Sequence, residues 1–87
     1  MPYIKQEQRK KWKKIIDETT KNLKDVPDDK KEGELNYLFS TILKKSYSRN
    51  YFSFNRLIGL IECIKLEMYR KIIGPYEDEK IKENGDI

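Results

Sequence analysis

The sequence predicts a small all-α protein, and three observations lead to that prediction. Apolar residues recur at helical spacings of three and four in three separate segments. No segment of useful length alternates apolar and polar residues as a half-buried strand would. Gly and Pro together number 7 of 87 residues, and most of them stand where a predicted helix ends or begins. We therefore expect a single domain over residues 1–87 that has three helices, an extra short C-terminal helix and a homo-oligomeric assembly.

The first two predicted helices are amphipathic on one side. The first covers residues 5–24 and ends before Pro27, because proline disfavours helix in the residue that precedes it. The second covers residues 34–47 and is followed by a loop over residues 48–51. Their stripes consist of Trp12, Ile15, Ile16, Thr19, Leu23 and Val26 for the first helix and of Leu35, Leu38, Phe39, Ile42 and Leu43 for the second.

The third predicted helix, residues 54–73, is apolar over a wider arc than one packing seam needs. One stripe runs along its length, and Leu60, Leu66 and Ile73 lie off that stripe. A helix that is apolar almost all round is usually buried on several sides. Two partner helices cover part of this surface, and we expect a second subunit to cover the rest.

The ends of the third helix and the C-terminal helix are predicted from capping residues. Ser53 is the predicted N-cap of the third helix, and Gly74-Pro75 is predicted to end or kink it. The C-terminal helix covers residues 76–83, with acidic residues near its start and Asn84-Gly85 closing it.

Composition excludes several classes of protein. No apolar stretch approaches the roughly 20 residues of a membrane-spanning helix, and the first residues lack the pattern of a signal peptide. With one cysteine and no histidine, the chain has no internal disulfide framework and no histidine base, and a zinc site within one chain is not expected. We expect no metal, no cofactor, no catalytic residue and a cytoplasmic location; an enzyme would need a site assembled across subunits.

Charge is distributed unevenly along the chain, whose net charge is +4. Residues 1–26 hold 8 basic and 4 acidic side chains, whereas residues 74–87 hold 2 basic and 5 acidic ones. This asymmetry indicates an anionic partner, or an acidic tail that lies on a basic surface. The alternative is an ordinary charged surface in contact with solvent.

A basic and aromatic run near the N-terminus is the first candidate site. Arg9 and the lysines around Trp12 could hold phosphate while the indole stacks on a base, as in nucleotide or nucleic-acid binding. The alternative is a solvated lysine-rich face, with Trp12 as the first core residue of the helix. The phase of Trp12 with Ile15 and Leu23 favours that alternative. The run consists of Lys5, Arg9, Lys10, Lys11, Trp12, Lys13 and Lys14.

The end of the third helix is the second candidate site. The chain has six tyrosines, and Tyr suits pocket walls and interfaces because it combines a flat face with a hydroxyl. Tyr69 and Tyr76 could stack on a purine while Lys65 and Arg70 hold phosphate. In the alternative, Lys65 and Arg70 form ion pairs with Glu62 and Glu67 at helical spacing.

Three segments carry a resemblance to a known family: the opening residues 1–5, residues 62–70 and residues 75–86. They resemble a family of short proteins of unknown function that occurs in phages, prophages and some bacteria and archaea. The resemblance implies no catalytic residues. Small phage proteins of similar build include sponges, which are homo-oligomers that sequester nucleotide messengers of bacterial immunity, such as cyclic ADP-ribose isomers and cyclic dinucleotides; this is an analogy.

The leading hypothesis is therefore a non-enzymatic, phage-encoded protein that sequesters a small nucleotide immune signal in a pocket between subunits. One alternative is a nucleic-acid-binding protein that uses the lysine-rich first helix; another is a protein-interaction module that inhibits a host protein. The predicted ligand-binding residues are Tyr3, Arg9, Trp12, Asn36, Arg56, Lys65, Tyr69, Arg70 and Tyr76.

Overall fold

The structure is a computed structural model that describes residues 3–87, and it confirms the all-α class. No strand occurs in the described part of the chain. The elements are α1 (Gln6–Lys24), α2 (Asp28–Ser46), α3 (Tyr51–Met68), a π-helical segment (Tyr69–Ile73) and α4 (Gly74–Asn84). The chain divides into two compact units, Met1–Ser46 and Tyr47–Ile87. That residues 1–87 form a single domain stays a prediction.

In the first unit, α1 begins and ends close to the predicted residues. At its start the Gln8 side-chain oxygen accepts a hydrogen bond from the Lys5 backbone N–H at 3.1 Å, and the Gln8 N–H donates to the Lys5 carbonyl at 3.0 Å. At its end the Val26 N–H donates to the Leu23 carbonyl at 3.1 Å, just before Pro27. Backbone groups that the helix leaves free at its two ends are thus satisfied locally.

The predicted start of α2 at residue 34 is wrong, because the helix begins six residues earlier, at Asp28. The Pro27 carbonyl accepts the Lys30 N–H at 2.9 Å, so Pro27 stands directly before the first turn of α2. Asp28 and Asp29 occupy the first turn, where carboxylates interact favourably with the helix dipole. The Ser46 hydroxyl closes the helix by donating to the Ile42 carbonyl at 2.7 Å.

In the second unit, the predicted N-cap Ser53 is wrong, because Asn50 caps α3. The Asn50 side-chain oxygen accepts the Ser53 N–H at 2.8 Å, and its carbonyl accepts the Phe54 N–H at 2.9 Å. The helix therefore begins at Tyr51, three residues before the predicted start. Asn is as good an N-cap as Ser, and the earlier residue takes the position here.

Of the two predicted effects of Gly74-Pro75, an end or a kink of the third helix, the end is wrong, since the chain is helical from Tyr51 to Asn84; the pair instead follows a π-helical segment, and the kink stays a prediction. The Gly74 N–H donates to the Tyr69 carbonyl five residues earlier, which is the bond of a π-turn. Pro75 has no N–H to donate to the preceding turn, and the wider π-turn accommodates it. A Cβ on Gly74 would lie 3.0 Å from the Tyr69 carbonyl oxygen, so any larger residue here requires the backbone to shift by a few tenths of an ångström.

The residues of the predicted C-terminal helix are helical, but α4 continues directly from the third helix; it begins two residues before the predicted start and ends one residue after the predicted end. It ends at Asn84, and Gly85 has a positive φ of 84°. The Gly85 N–H donates to the Ile81 carbonyl at 2.8 Å. Glycine adopts this backbone conformation at little cost, which explains why Asn-Gly terminates the helix.

Apolar side chains are poorly covered throughout the described residues. None of them is buried, and within residues 3–87 Ser53 alone is buried, with 5% of its surface exposed. The chain has an accessible surface of 8472 Å², whereas a folded monomer of this mass exposes about 5,400 Å². Of the residues off the α3 stripe, Leu60 is half-buried, Leu66 is 57% exposed and Ile73 is 36% exposed.

Within residues 3–87, no helix combines the length and the apolar character that crossing a membrane requires.

Candidate functional site

Two of the predicted site residues in the first unit lie near the start of α1. The Arg9 guanidinium donates to the Ile4 carbonyl at 3.3 Å and so fastens the segment before the helix. The Trp12 side chain is 47% exposed, and the Lys11 Nζ lies 5.4 Å from its ring centroid. Tyr3 is also exposed. The indole thus offers an open face beside a cation, whereas Arg9 already has a backbone partner.

Asn36 is exposed on α2, and its side chain interacts within that helix. Its side-chain oxygen accepts a hydrogen bond from the Ser40 hydroxyl at 2.9 Å. A ligand that donates a hydrogen bond to the Asn36 side-chain oxygen has to compete with this bond, whereas a ligand that accepts one can use the amide N–H groups.

An open groove of about 430 Å³ lies between α1 and α2, close to the turn that joins them. Its walls are mainly apolar, and Glu34 is the single charged residue among those that line it. A carboxylate disfavours phosphate, so the groove suits an apolar group better than a nucleotide. The lining residues are Thr19, Asn22, Leu23, Val26, Gly33, Glu34, Tyr37 and Leu38.

At the end of α3 the basic residues form ion pairs with carboxylates. The Lys65 Nζ lies 2.9 Å from Glu62 Oε1, and Arg70 Nη2 lies 2.9 Å from Glu67 Oε1 and 3.1 Å from Oε2. The sequence permitted either phosphate binding or ion pairing at these residues, and in the structure the ion pairs are formed. Their charges are partly compensated before any ligand arrives, so phosphate would have to compete with a carboxylate for each of them.

The two tyrosines near this end are exposed. Tyr69 begins the π-helical segment, and its backbone carbonyl accepts the Gly74 N–H. Tyr76 lies in the first turn of α4, and the Lys80 Nζ is 5.5 Å from its ring centroid. Both rings remain available for stacking.

Arg56 has the most distinctive surroundings of the predicted residues. Its guanidinium carbon lies 5.6 Å from the Tyr47 ring centroid and 5.4 Å from the Phe52 ring centroid. No carboxylate among residues 3–87 pairs with it. Neither Tyr47 nor Phe52 was predicted as a site residue, although the spacing of four residues between Phe52 and Arg56 is a signal that could have identified Phe52.

In the described part of the chain, no group of three or more Cys, Asp or Glu side chains is arranged to hold a metal ion.

Comparison with known proteins gives one match. A family model described as a domain of unknown function, DUF6899, matches residues 1–87. No curated protein and no solved structure matches the chain. The family match agrees with the resemblance of the sequence to an uncharacterised family, and it adds no information on ligand or activity.

Proposed function

The chain belongs to the family described as a domain of unknown function, DUF6899, and from that premise we propose that it is a non-enzymatic binding protein that works as a homo-oligomer. A single observation carries the proposal: none of the apolar side chains in residues 3–87 is buried. Burial of apolar surface is the main favourable term in folding. Copies of the chain therefore cover one another's apolar faces.

The size of the uncovered surface supports this proposal. The chain exposes 8472 Å², about 3,000 Å² more than a folded monomer of its mass. Obligate homodimers bury about 2,000–5,000 Å² or more, counted over both partners. Two chains that cover their excess surfaces on each other would bury about 6,000 Å², which is as much as the largest obligate interfaces bury. Additional copies would divide the same surface among several interfaces.

The exposed apolar residues of α3 are arranged as an interface would require. Ile58, Ile61, Ile64 and Met68 follow one another at spacings of three and four, so they share one side of the helix. Each of them is at least 43% exposed. Leu66 lies on a different side and is also exposed. One partner helix cannot cover both sides, which favours an assembly in which α3 has neighbours on more than one side.

Sedimentation equilibrium of the purified chain tests the assembly. We expect a mass that is an integer multiple of 10.5 kDa at micromolar concentration. A single-chain mass at all concentrations would contradict the proposal.

We further propose that the ligand is a small phosphorylated nucleotide. Three cation–aromatic contacts support this: Lys11 with Trp12, and Arg56 with both Tyr47 and Phe52. Aromatic faces stack on bases, and cations beside them attract phosphate. By analogy with the sponges, the biological role is sequestration of a nucleotide immune signal by a phage-encoded protein.

A thermal-shift panel tests the ligand class. Cyclic ADP-ribose and a cyclic dinucleotide are compared with adenosine, which has no phosphate. We expect the nucleotides to raise the melting temperature, because a ligand that binds the native state stabilises it, and adenosine to have little effect. No shift with either nucleotide at millimolar concentration would overturn the nucleotide proposal. Salt-sensitive binding to DNA that weakens when Lys10 and Lys13 are neutralised would support the nucleic-acid alternative.

A further inference from the structure

The N-terminal half of α3 carries a side-chain cluster that sequence analysis did not assemble. We infer that this cluster, the Arg56 face (Tyr47, Phe52, Arg56 and Gly59), binds a small phosphorylated nucleotide: Arg56 grips a phosphate, and the bare helix surface at Gly59 receives the flat base. The inference rests on the proposed function and names its site.

The geometry of Arg56 suits a phosphate grip. The guanidinium lies within 5.6 Å of the ring centroids of Tyr47 and Phe52. Contacts with two rings orient the planar group and leave N–H donors at its edge, in the fork that matches two phosphate oxygens. Because the rings restrict the side chain before the ligand arrives, less conformational freedom is lost on binding.

Other cations that the sequence selected are engaged differently. Arg9 donates to the Ile4 carbonyl, Lys65 pairs with Glu62, and Arg70 pairs with Glu67. A phosphate at any of these positions competes with an existing oxygen partner. At Arg56 it meets aromatic rings instead, so no carboxylate has to be displaced.

Charge along the sequence favours an anion at the same place. No Asp or Glu occurs between Glu34 and Glu62, whereas Arg49 and Arg56 both lie in the part of this stretch that belongs to the second unit. The first turn of α3 contains no acidic residue. The Arg56 face is therefore a locally cationic surface in a chain of mixed charge.

Gly59 supplies an independent observation. Glycine is among the least favourable residues inside a helix, and it is usually retained there for close packing. A Cβ at Gly59 would meet no atom within 4 Å, as is also true at Gly33, so what distinguishes Gly59 is its position beside Arg56 on α3. Gly59 lies three residues after Arg56 and seven after Phe52, on the same side of α3. A ring that rests on this bare backbone would be next to the guanidinium.

Isothermal titration calorimetry with ADP-ribose and cyclic di-AMP tests the site, with inorganic phosphate and adenosine as separate arms. Arg56→Lys keeps the charge but removes the planar fork, and we expect it to weaken nucleotide binding by about tenfold or more. Lys82→Arg is the control on the same unit, because it exchanges the two basic groups at an exposed position outside the predicted site residues, and we expect it to bind within about twofold of the wild type. Arg70→Lys tests the other candidate location, at the end of α3, where Arg70 pairs with Glu67.

Gly59→Ala separates binding from folding. Alanine favours helix, so we expect an equal or higher melting temperature together with several-fold weaker nucleotide binding. Gly33→Ala is its control, because a Cβ there also meets no atom within 4 Å, and it should be neutral or stabilising and leave binding unchanged. Inorganic phosphate should bind more weakly than the nucleotides and lose its binding in Arg56→Lys.

Several results would overturn the inference. If Arg70→Lys weakens binding and Arg56→Lys does not, the site lies at the end of α3 and the proposed function stands. If Gly59→Ala changes the mass of the assembly, Gly59 belongs to a subunit interface. If a single-stranded oligonucleotide binds more tightly than both nucleotides, the ligand is nucleic acid. If the wild type binds no probe, the nucleotide proposal and the site fail together, while the homo-oligomer is judged by its mass.

Discussion

The two units of the chain distribute their apolar residues differently. In the first unit, Leu23 and Leu38 near the turn are half-buried, while Trp12 and Ile15 farther along α1 are exposed. In the second unit, exposed apolar residues occupy more than one side of α3. An amphipathic helix needs one apolar neighbour, whereas a helix that is apolar on several sides needs more than one. We therefore expect the second unit to depend on other copies more strongly than the first.

The basic side chains of the two units also differ in their surroundings. The cations of α1 are mostly lysines exposed to solvent, and one of them, Lys13, pairs with Asp17 at 3.0 Å. In the second unit, Arg56 contacts two aromatic rings in a stretch without carboxylates. The net charge of +4 therefore says less about binding than the surroundings of each cation do.

The largest expected effect comes from a charge on the exposed side of α3. Ile61→Asp places a carboxylate where we expect a subunit contact, and an unpaired buried charge costs about 3–5 kcal/mol. The assembly should dissociate to single chains in sedimentation experiments. Thr20→Asp adds the same charge at an exposed polar position of α1 and should leave the mass unchanged. If both variants had the same mass, the expectation that the second unit depends more strongly on other copies than the first would be wrong.

The π-helical segment should be sensitive to a single methyl group. Gly74→Ala brings a Cβ to 3.0 Å from the Tyr69 carbonyl oxygen, and relieving such overpacking typically costs about 1–3 kcal/mol. Gly33→Ala in the first unit meets no atom and should be neutral or stabilising by up to about 1 kcal/mol. Chemical denaturation at fixed protein concentration measures both. A stabilised Gly74→Ala would show that the π-turn is not held by this glycine.

The two helix starts should respond unequally to loss of a side chain. Asn50→Ala removes the oxygen that accepts the Ser53 N–H at 2.8 Å, and losing such a cap costs about 1 kcal/mol. Gln8→Ala removes a hydrogen bond from the exposed end of α1, where water replaces it, and should cost less. Denaturation midpoints of the two variants decide the order, and a larger loss for Gln8→Ala would reverse the comparison.

The smallest effects are expected at the surface ion pairs of both units. Both partners of Lys13–Asp17 and of Lys65–Glu62 are more than half exposed, and such pairs contribute about 0–1 kcal/mol. Asp17→Asn and Glu62→Gln should each change the free energy of unfolding by about 0.5 kcal/mol or less. A loss of several kcal/mol in Glu62→Gln would mean that Lys65 is buried in the assembly.

Helices were predictable from the sequence because apolar periodicity is a local property. The start of α2 was missed because its first turn, residues 28–32, is entirely polar and has no apolar phase to follow. The start of α3 was misplaced because Asn50 and Ser53 are both good caps. The uninterrupted helix through Gly74-Pro75 could not be predicted, since this pair is equally typical of a helix end.

The candidate site was predictable only in part. Arg56 was selected for its charge, but Tyr47 lies outside the helix and no spacing rule connects the two residues. At Lys65 and Arg70, the sequence permitted both phosphate binding and ion pairing. Because carboxylates stand three residues before each cation, the helix itself brings the pairs together. The open helix surface at Gly59 follows from the absence of neighbouring atoms around it, which the sequence does not reveal.

The melting temperature of the wild-type chain as a function of protein concentration tests most directly whether copies complete each other's apolar core. For a homo-oligomer, association stabilises the folded state by mass action, so the melting temperature rises with concentration. We predict a clear rise from low micromolar to high micromolar chain. A cooperative transition at one temperature over the whole range, with the mass of one chain, would contradict the account.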